Sequence, residues 1–175
     1  VQILWINVVT EGTLTVNLVM EPADGDEMHR PPVPRDDRLL SSTLLARTAL
    51  MALTSAAVTL GWFAWRLHQG ADLDLARTEV FTLVAVCQWF NVLNCQSATA
   101  SVIGPGLWRN RWLAGGLALS VALQAAVLYV PAMNALFHTV PLPPAALLPL
   151  LGLASIVLWA EELRKVVARA RRRDP

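Results

Sequence analysis

The chain has 175 residues, 55% hydrophobic and 15% charged, with a net charge of +1 and a mean hydropathy of +0.47. A soluble domain carries roughly a quarter charged residues, and a net charge this near zero leaves no electrostatic footprint for nucleic acid. Charges gather at 21–38, 66–79, 109–111 and 161–174 with long apolar stretches between them, the pattern of a polytopic membrane protein whose spans each need about 20 apolar residues.

Five spans are expected, giving an all-α membrane helix bundle. The first covers about 1–20 and ends at Glu21-Pro22, followed by a loop over 21–41. The second covers about 42–65, with Trp62 and Trp65 as interfacial belt residues. Ala57 and Gly61 form a small-xxx-small pair that lets another helix approach. The third covers about 78–97 and the fourth about 112–130, stopping at Pro131. The fifth covers about 144–163 and runs into a basic tail over 164–175. The chain begins at Val1, inside an apolar run and without an initiator methionine, so it reads as a piece cut from a longer chain.

Arginine and lysine set the orientation. Twelve of the fourteen lie in or beside the first loop (Arg30, Arg35, Arg38, Arg47), in the third loop (Arg109, Arg111), or in the tail. Only Arg66 and Arg77 fall on the other side. The first loop, third loop and C-terminus are therefore expected in the cytoplasm, with the first span running from outside to inside. Arg47, about a turn and a half into its span, is expected to snorkel to the headgroups. Glu161 and Glu162, beside Arg164 and Lys165, are expected to pair at the surface. Cys87 and Cys95 are too far apart on one helix for a disulfide and read as small buried hydrophobes.

Polar residues inside the spans carry the chemistry. Asn7, Thr10 and Glu11 have the i, i+3, i+4 spacing that brings side chains together on one α-helical face. A carboxylate in the bilayer costs ~2.5 kcal/mol or more. Amide, hydroxyl and carboxylate oxygens make a hard-oxygen site for Ca²⁺, Mn²⁺, Na⁺ or H⁺. The plainer alternative is a protonated Glu11 hydrogen-bonded to a neighbouring helix. Gly12 is placed to let the helix open and free backbone carbonyls. In the third span Gln88, Asn91 and Asn94 either complete a cation site or hold helices together, the commoner use of such amides. Asn17 and Gln124 read as interhelical contacts. The sequence has no glycine-rich phosphate loop, no His/Cys metal cluster and no nucleophile–base pair, so no catalytic or cofactor-binding residues are expected.

The stretch Gln2-Ile-Leu-Trp-Ile-Asn-Val-Val-Thr-Glu-Gly12 resembles the sixth transmembrane helix of the calcium-pump-like (type II) P-type ATPases, with its Leu-Trp-x-Asn-Leu-Val-Thr-Asp-Gly pattern. Asp26-Glu-Met-His-Arg-Pro-Pro32 resembles the cytoplasmic loop that follows, with its Asp-x-Met-x-Arg-Pro-Pro. Ala76-Arg-Thr78 and Gln88-Trp-Phe-Asn-Val-Leu-Asn94 resemble the eighth helix and its Phe-Asn-Ala-Leu-Asn core, and Glu161-Glu-Leu-Arg-Lys165 the end of the tenth. These motifs keep family order across essentially the whole chain. The resemblance implies the C-terminal transmembrane region, helices six to ten, of an ATP-driven cation pump in a multi-pass membrane location, the inner membrane if bacterial. Asn7, Thr10, Glu11 and Gln88 then match cation ligands, with Ca²⁺ first among the candidates.

Two departures, Glu11 where calcium pumps carry Asp and Gln88 where the reticulum pump carries Glu, point to one ion per cycle and weaken Thr10 as a ligand. ATP and Mg²⁺ belong to the intact pump, and without phosphorylation, nucleotide and actuator domains this chain is expected to be inactive alone. Its implied partners are those domains, helices one to five and the bilayer. The alternative is a non-catalytic membrane module or truncated remnant that assembles with separately encoded parts.

Overall fold

The structure is a computed structural model describing residues 1–20, 41–96 and 110–171, without the side chains of Thr10, Glu11, Thr43 and Arg171. The loop over 21–40, with Asp24, Asp26, Glu27 and Arg30, and the residues Arg109, Arg172 and Arg173 lie outside the described residues. Every described element is helical. A first helical rod comprises α1 (Gln2–Trp5), a π-helical stretch (Ile6–Thr15) and α2 (Val16–Leu18). Then come α3 (Ser42–His68), α4 (Leu73–Cys95), α5 (Arg111–Tyr129), α6 (Pro131–Phe137) and α7 (Pro144–Arg171).

Local chemistry sets these boundaries. The Ser41 hydroxyl accepts from the Leu44 amide at 3.2 Å and starts α3. Gly70, at φ 74, turns the chain back, a backbone conformation that glycine adopts without steric cost. The Asp72 carboxylate then accepts from the Asp74 and Leu75 amides at 3.1 and 3.4 Å and starts α4. So short a connection makes α3 and α4 antiparallel neighbours. Asn110 caps α5, its side-chain oxygen accepting from the Leu113 amide at 3.0 Å. Its amide nitrogen donates to the Asn17 carbonyl at 3.0 Å, tying the end of the first rod to the start of α5. Pro131 opens α6 at the first helical position, where its missing N–H costs nothing.

Helix α4 lies at the centre. It packs against α7, α3, the π stretch and α5, and buries residues along its length from Ala76 to Asn94. Leu83, Val86 and Cys87 of α4 meet Leu150, Ala154 and Val157 of α7 in the main core. A second cluster joins Leu14 of the π stretch, Val92 and Leu113. A third joins Phe81, Val127 and Phe137, on which Trp5 stacks edge-on with centroids 4.9 Å apart. The Gln2 amide donates to the Phe137 carbonyl at 2.8 Å, so α6 holds the first rod at the end bearing the α3–α4 turn.

Among the described residues, three helices are long and apolar enough to cross a membrane: Leu44–His68, Arg111–Tyr129 and Pro144–Ala170. These correspond to the second, fourth and fifth expected spans. The helix over the third expected span begins earlier than Thr78, at Leu73, so that Asp74 and Arg77 join Glu79 in its first turns. Those charges and the amides beyond them make α4 more polar than a lipid-facing helix. Protein surrounds it on several sides, so its polar groups find protein partners there. The segment Pro131–Phe137, expected to be loop, is helical.

Glu79, 4% exposed, shows how such a charge is accommodated. Arg66 of α3 bonds both its oxygens, at 2.6 and 2.9 Å, and the Trp62 indole donates to it at 3.0 Å. The expected belt tryptophan Trp62 thus also clamps the α3–α4 hairpin. Replacing Arg66 with glutamine should lower stability by about 2 kcal/mol in thermal unfolding of the detergent-solubilised protein. That is short of the full penalty for orphaning a buried carboxylate, because Arg66 is itself 23% exposed. A loss too small to measure would make the pair an ordinary surface contact.

The small-xxx-small pair does not support a close helix contact among the described residues. Nothing lies within 4 Å of a Cβ built on Gly61. Close approach occurs instead at Gly116, where an added Cβ would strike the Thr13 carbonyl and the Asn17 amide.

Candidate functional site

The segment carrying Asn7, Thr10, Glu11 and Gly12 is π-helical from Ile6 to Thr15. Such i→i+5 stretches are rare and frequent at functional sites. Two side chains favour the longer register. The Thr13 hydroxyl donates to the Val9 carbonyl at 2.5 Å, and the Asn17 amide donates to the Thr13 carbonyl at 2.5 Å. Each occupies the i−4 carbonyl that its own backbone N–H would take in an α-helix. The wider turn changes the expected geometry, since three residues spaced i, i+3, i+4 no longer stack as on an α-helical face. The stretch also stays helical at Gly12, the residue placed to let the helix open. Gly12 is exposed, with open space around the position of a Cβ.

Asn7 is exposed on this stretch and Gln88 is half-buried on α4. The two elements pack directly against each other. The Thr10 and Glu11 side chains lie outside what is described, so their approach to Gln88 is not part of the described geometry. Among the described residues, neither the Asn7 nor the Gln88 side chain makes a hydrogen bond, and no three His, Cys, Asp or Glu side chains gather to hold a metal. A groove of about 270 Å³ runs between the first rod and the α3–α4 pair, lined by Gln2, Ile3 and Ile6 on one side and Val80 and Val84 of α4 on the other. Gln88 continues the Val80–Val84 row at i+4 spacing, on the same helix face.

The other amides of α4 hold helices together. Asn91 donates to Ser55 of α3 at 3.3 Å, and Asn94 donates to the Val157 carbonyl of α7 at 3.3 Å. Gln124 of α5 donates to Thr82 at 3.4 Å, the expected interhelical contact. Trp89 donates to Ser120 at 2.9 Å. Asn17 departs from expectation, because its side chain bonds back within its own helix and its carbonyl makes the link to α5.

The largest departure lies at the opposite end of α4. Glu161 is fully buried, where surface pairing was expected. Arg47 approaches it with Nε 2.6 Å from Oε1, and Arg164 donates to both its oxygens at 2.7 and 2.8 Å. Arg47 also donates from Nη2 to the Asn94 carbonyl at 2.5 Å, and its side chain is only 13% exposed. It is thus engaged inside the bundle, where snorkelling was expected. Lys165, fully buried, donates to Glu162 at 3.1 Å. The physical reason is that α7 packs on α3 and α4 at this level, bringing carboxylates and guanidinium together out of water. Cys87 is buried as expected, but Cys95 at the end of α4 is exposed.

Comparison with known proteins shows the family. Residues 1–167 match the family described as "Cation transporting ATPase, C-terminus". The chain is 34% identical over 174 residues to the "Probable cation-transporting ATPase F" of Mycobacterium tuberculosis, covering 99% of this chain and 19% of that protein. It is 35% identical over 164 residues to "Calcium-transporting ATPase 1" of Schizosaccharomyces pombe, covering 94% and 18% respectively. It is 33% identical over 170 residues to the human "Calcium-transporting ATPase type 2C member 1", covering 97% and 18%. The chain therefore spans about a fifth of the length of these relatives. With its apolar helices, polar central helix and family match across almost its full length, the chain belongs to the C-terminal membrane region of the P-type cation-transporting ATPases.

Proposed function

We propose that this chain supplies helices six to ten of an ATP-driven cation pump and contributes Asn7, Glu11 and Gln88, with Thr10 as a lesser contributor, to the intramembrane cation site. The observation that carries the reading is the π-helical stretch over Ile6–Thr15 packed against the helix that bears Gln88. In this reading all five helical passes cross the bilayer, with the Arg111 and Glu161 end cytoplasmic. The ion sits between the first rod and α4, against helices that precede this segment. Glu11 supplies the charge, Asn7 and Gln88 supply neutral oxygens, and the exposed Gly12 keeps the approach free of side chain. Oxygen ligands of this kind suit Ca²⁺ and also admit Mn²⁺, Na⁺ or H⁺. The calcium-transporting names of two of the relatives favour Ca²⁺. ATP and Mg²⁺ act on parts of the pump outside this segment, and the loop over 21–41 relays their state to the membrane.

The test is ATP hydrolysis by the full-length protein containing this segment, assayed with Ca²⁺, Mn²⁺, Na⁺ and K⁺ beside its Glu11→Gln variant. One cation should stimulate turnover, and the variant should lose that stimulation by at least roughly tenfold in affinity, the scale on which metal sites answer to altered ligands and their supports. Parent and variant responding alike would remove Glu11 from the site.

A further inference from the structure

We infer that Arg47, whose described contacts include neither Asn7 nor Gln88, is a positioning residue for cation binding and acts by fixing the axial position of α4; this rests on the proposed role of Gln88. Helix α4 ends at Cys95, so the Asn94 carbonyl belongs to the last turn, whose carbonyls lack intrahelical partners. Arg47 donates to that carbonyl at 2.5 Å. Its positive charge stands at the negative pole of the helix, where a cation is favoured. The same guanidinium is held by Glu161 at 2.6 Å, and Glu161 by Arg164. The Asn94 side chain is fully buried and bonded to the Val157 carbonyl. One buried guanidinium therefore links the end of α4 to both α3 and α7.

Gln88 lies six residues before Asn94, about 9 Å along the helix. Having no hydrogen bond of its own among the described residues, its side chain takes its height from the helix that carries it. Trp89 and Asn91 tie α4 sideways to α5 and α3. Arg47 grips its end.

Position and charge make opposite predictions. Removing a positive charge near the site would by Coulomb attraction tighten cation binding, whereas releasing α4 would weaken it. In the full-length protein, Arg47→Gln should raise the cation concentration for half-maximal ATPase stimulation roughly tenfold, the lower end of what loss of a supporting partner costs a metal site. Maximal turnover should stay within about twofold. Arg47→Lys should recover most of the shift, since an ammonium still reaches the carbonyl. If Arg47→Gln folds poorly, the double variant Arg47→Gln/Glu161→Gln also removes the carboxylate left with Arg164 alone among its described partners, and should show the same rise. A half-maximal concentration that is unchanged or lowered overturns the inference, as does a loss confined to maximal turnover or yield. Glu11→Gln assayed alongside reads the site itself. Its failure to alter stimulation would overturn the site and leave the Arg47 shift as a separate result.

Discussion

Replacing Glu161 with alanine is expected to destabilise the bundle by about 3 kcal/mol, measured as thermal unfolding of the detergent-solubilised protein. Glu161 is fully buried and joins Arg47 to Arg164. Removing one partner of a buried ion pair costs ~3–5 kcal/mol because a charge is left uncompensated out of water. The lower figure applies because Arg164 is 22% exposed and Arg47 retains the Asn94 carbonyl. Exchanging both partners for apolar residues of similar size, Glu161→Leu with Arg47→Met, should restore much of the loss. A loss below about 1 kcal/mol in the single variant would class the contact with exposed pairs.

Adjacent glycines should respond with opposite signs. A Cβ at Gly116 meets the Thr13 carbonyl, which is backbone and cannot swing away, and the Asn17 amide that bonds it. Overpacking of this kind costs ~1–3 kcal/mol, and the upper end applies where the obstacle is main chain. Against this, glycine to alanine inside a helix gains ~1 kcal/mol. Gly116→Ala is therefore expected to lose about 2 kcal/mol net. Gly115 has nothing within 4 Å of its Cβ position, so Gly115→Ala should gain up to about 1 kcal/mol. Equal effects at the two positions would mean that α5 and the π stretch are not in close contact. Because Thr13 lies in the π stretch bearing Glu11 and its hydroxyl bonds the Val9 carbonyl, Gly116→Ala should disturb the proposed site as well.

The sequence made some elements plain and hid others for identifiable reasons. The apolar blocks over 42–65, 112–130 and 144–163 coincide with α3, α5 and α7, since lipid-facing helices must be apolar over most of their surface. Helix α4 was harder to bound. Glu79 reads only as one of the charges gathered over 66–79 until Arg66 and Trp62 are seen around it. The burial of Arg47 and Glu161 was invisible because they meet across two helices, while the Glu161–Arg164 pair at i,i+3 reads equally well as a surface pair. The π register depends on the Thr13 and Asn17 side-chain bonds to carbonyls four residues back, a competition that residue spacing does not reveal. Gly116 left a signal that went unused, the tandem Gly115-Gly116, the two glycines of that span. Of the proposed ligands, Asn7 and Gln88 lie on elements that pack against each other.

The contact between Arg47 and Glu161 also constrains the order of biogenesis. The two residues are about 110 positions apart, so at ~5–20 residues per second roughly ten seconds of synthesis separate them. During that interval Arg47 has entered the membrane on α3 while its carboxylate does not yet exist. A headgroup-facing arginine is the state available to it then, and the snorkelled conformer becomes a way-station on the assembly route. Helix α7 neutralises a charge inserted three helical passes earlier, which makes the Arg47–Glu161 contact dependent on completion of α7.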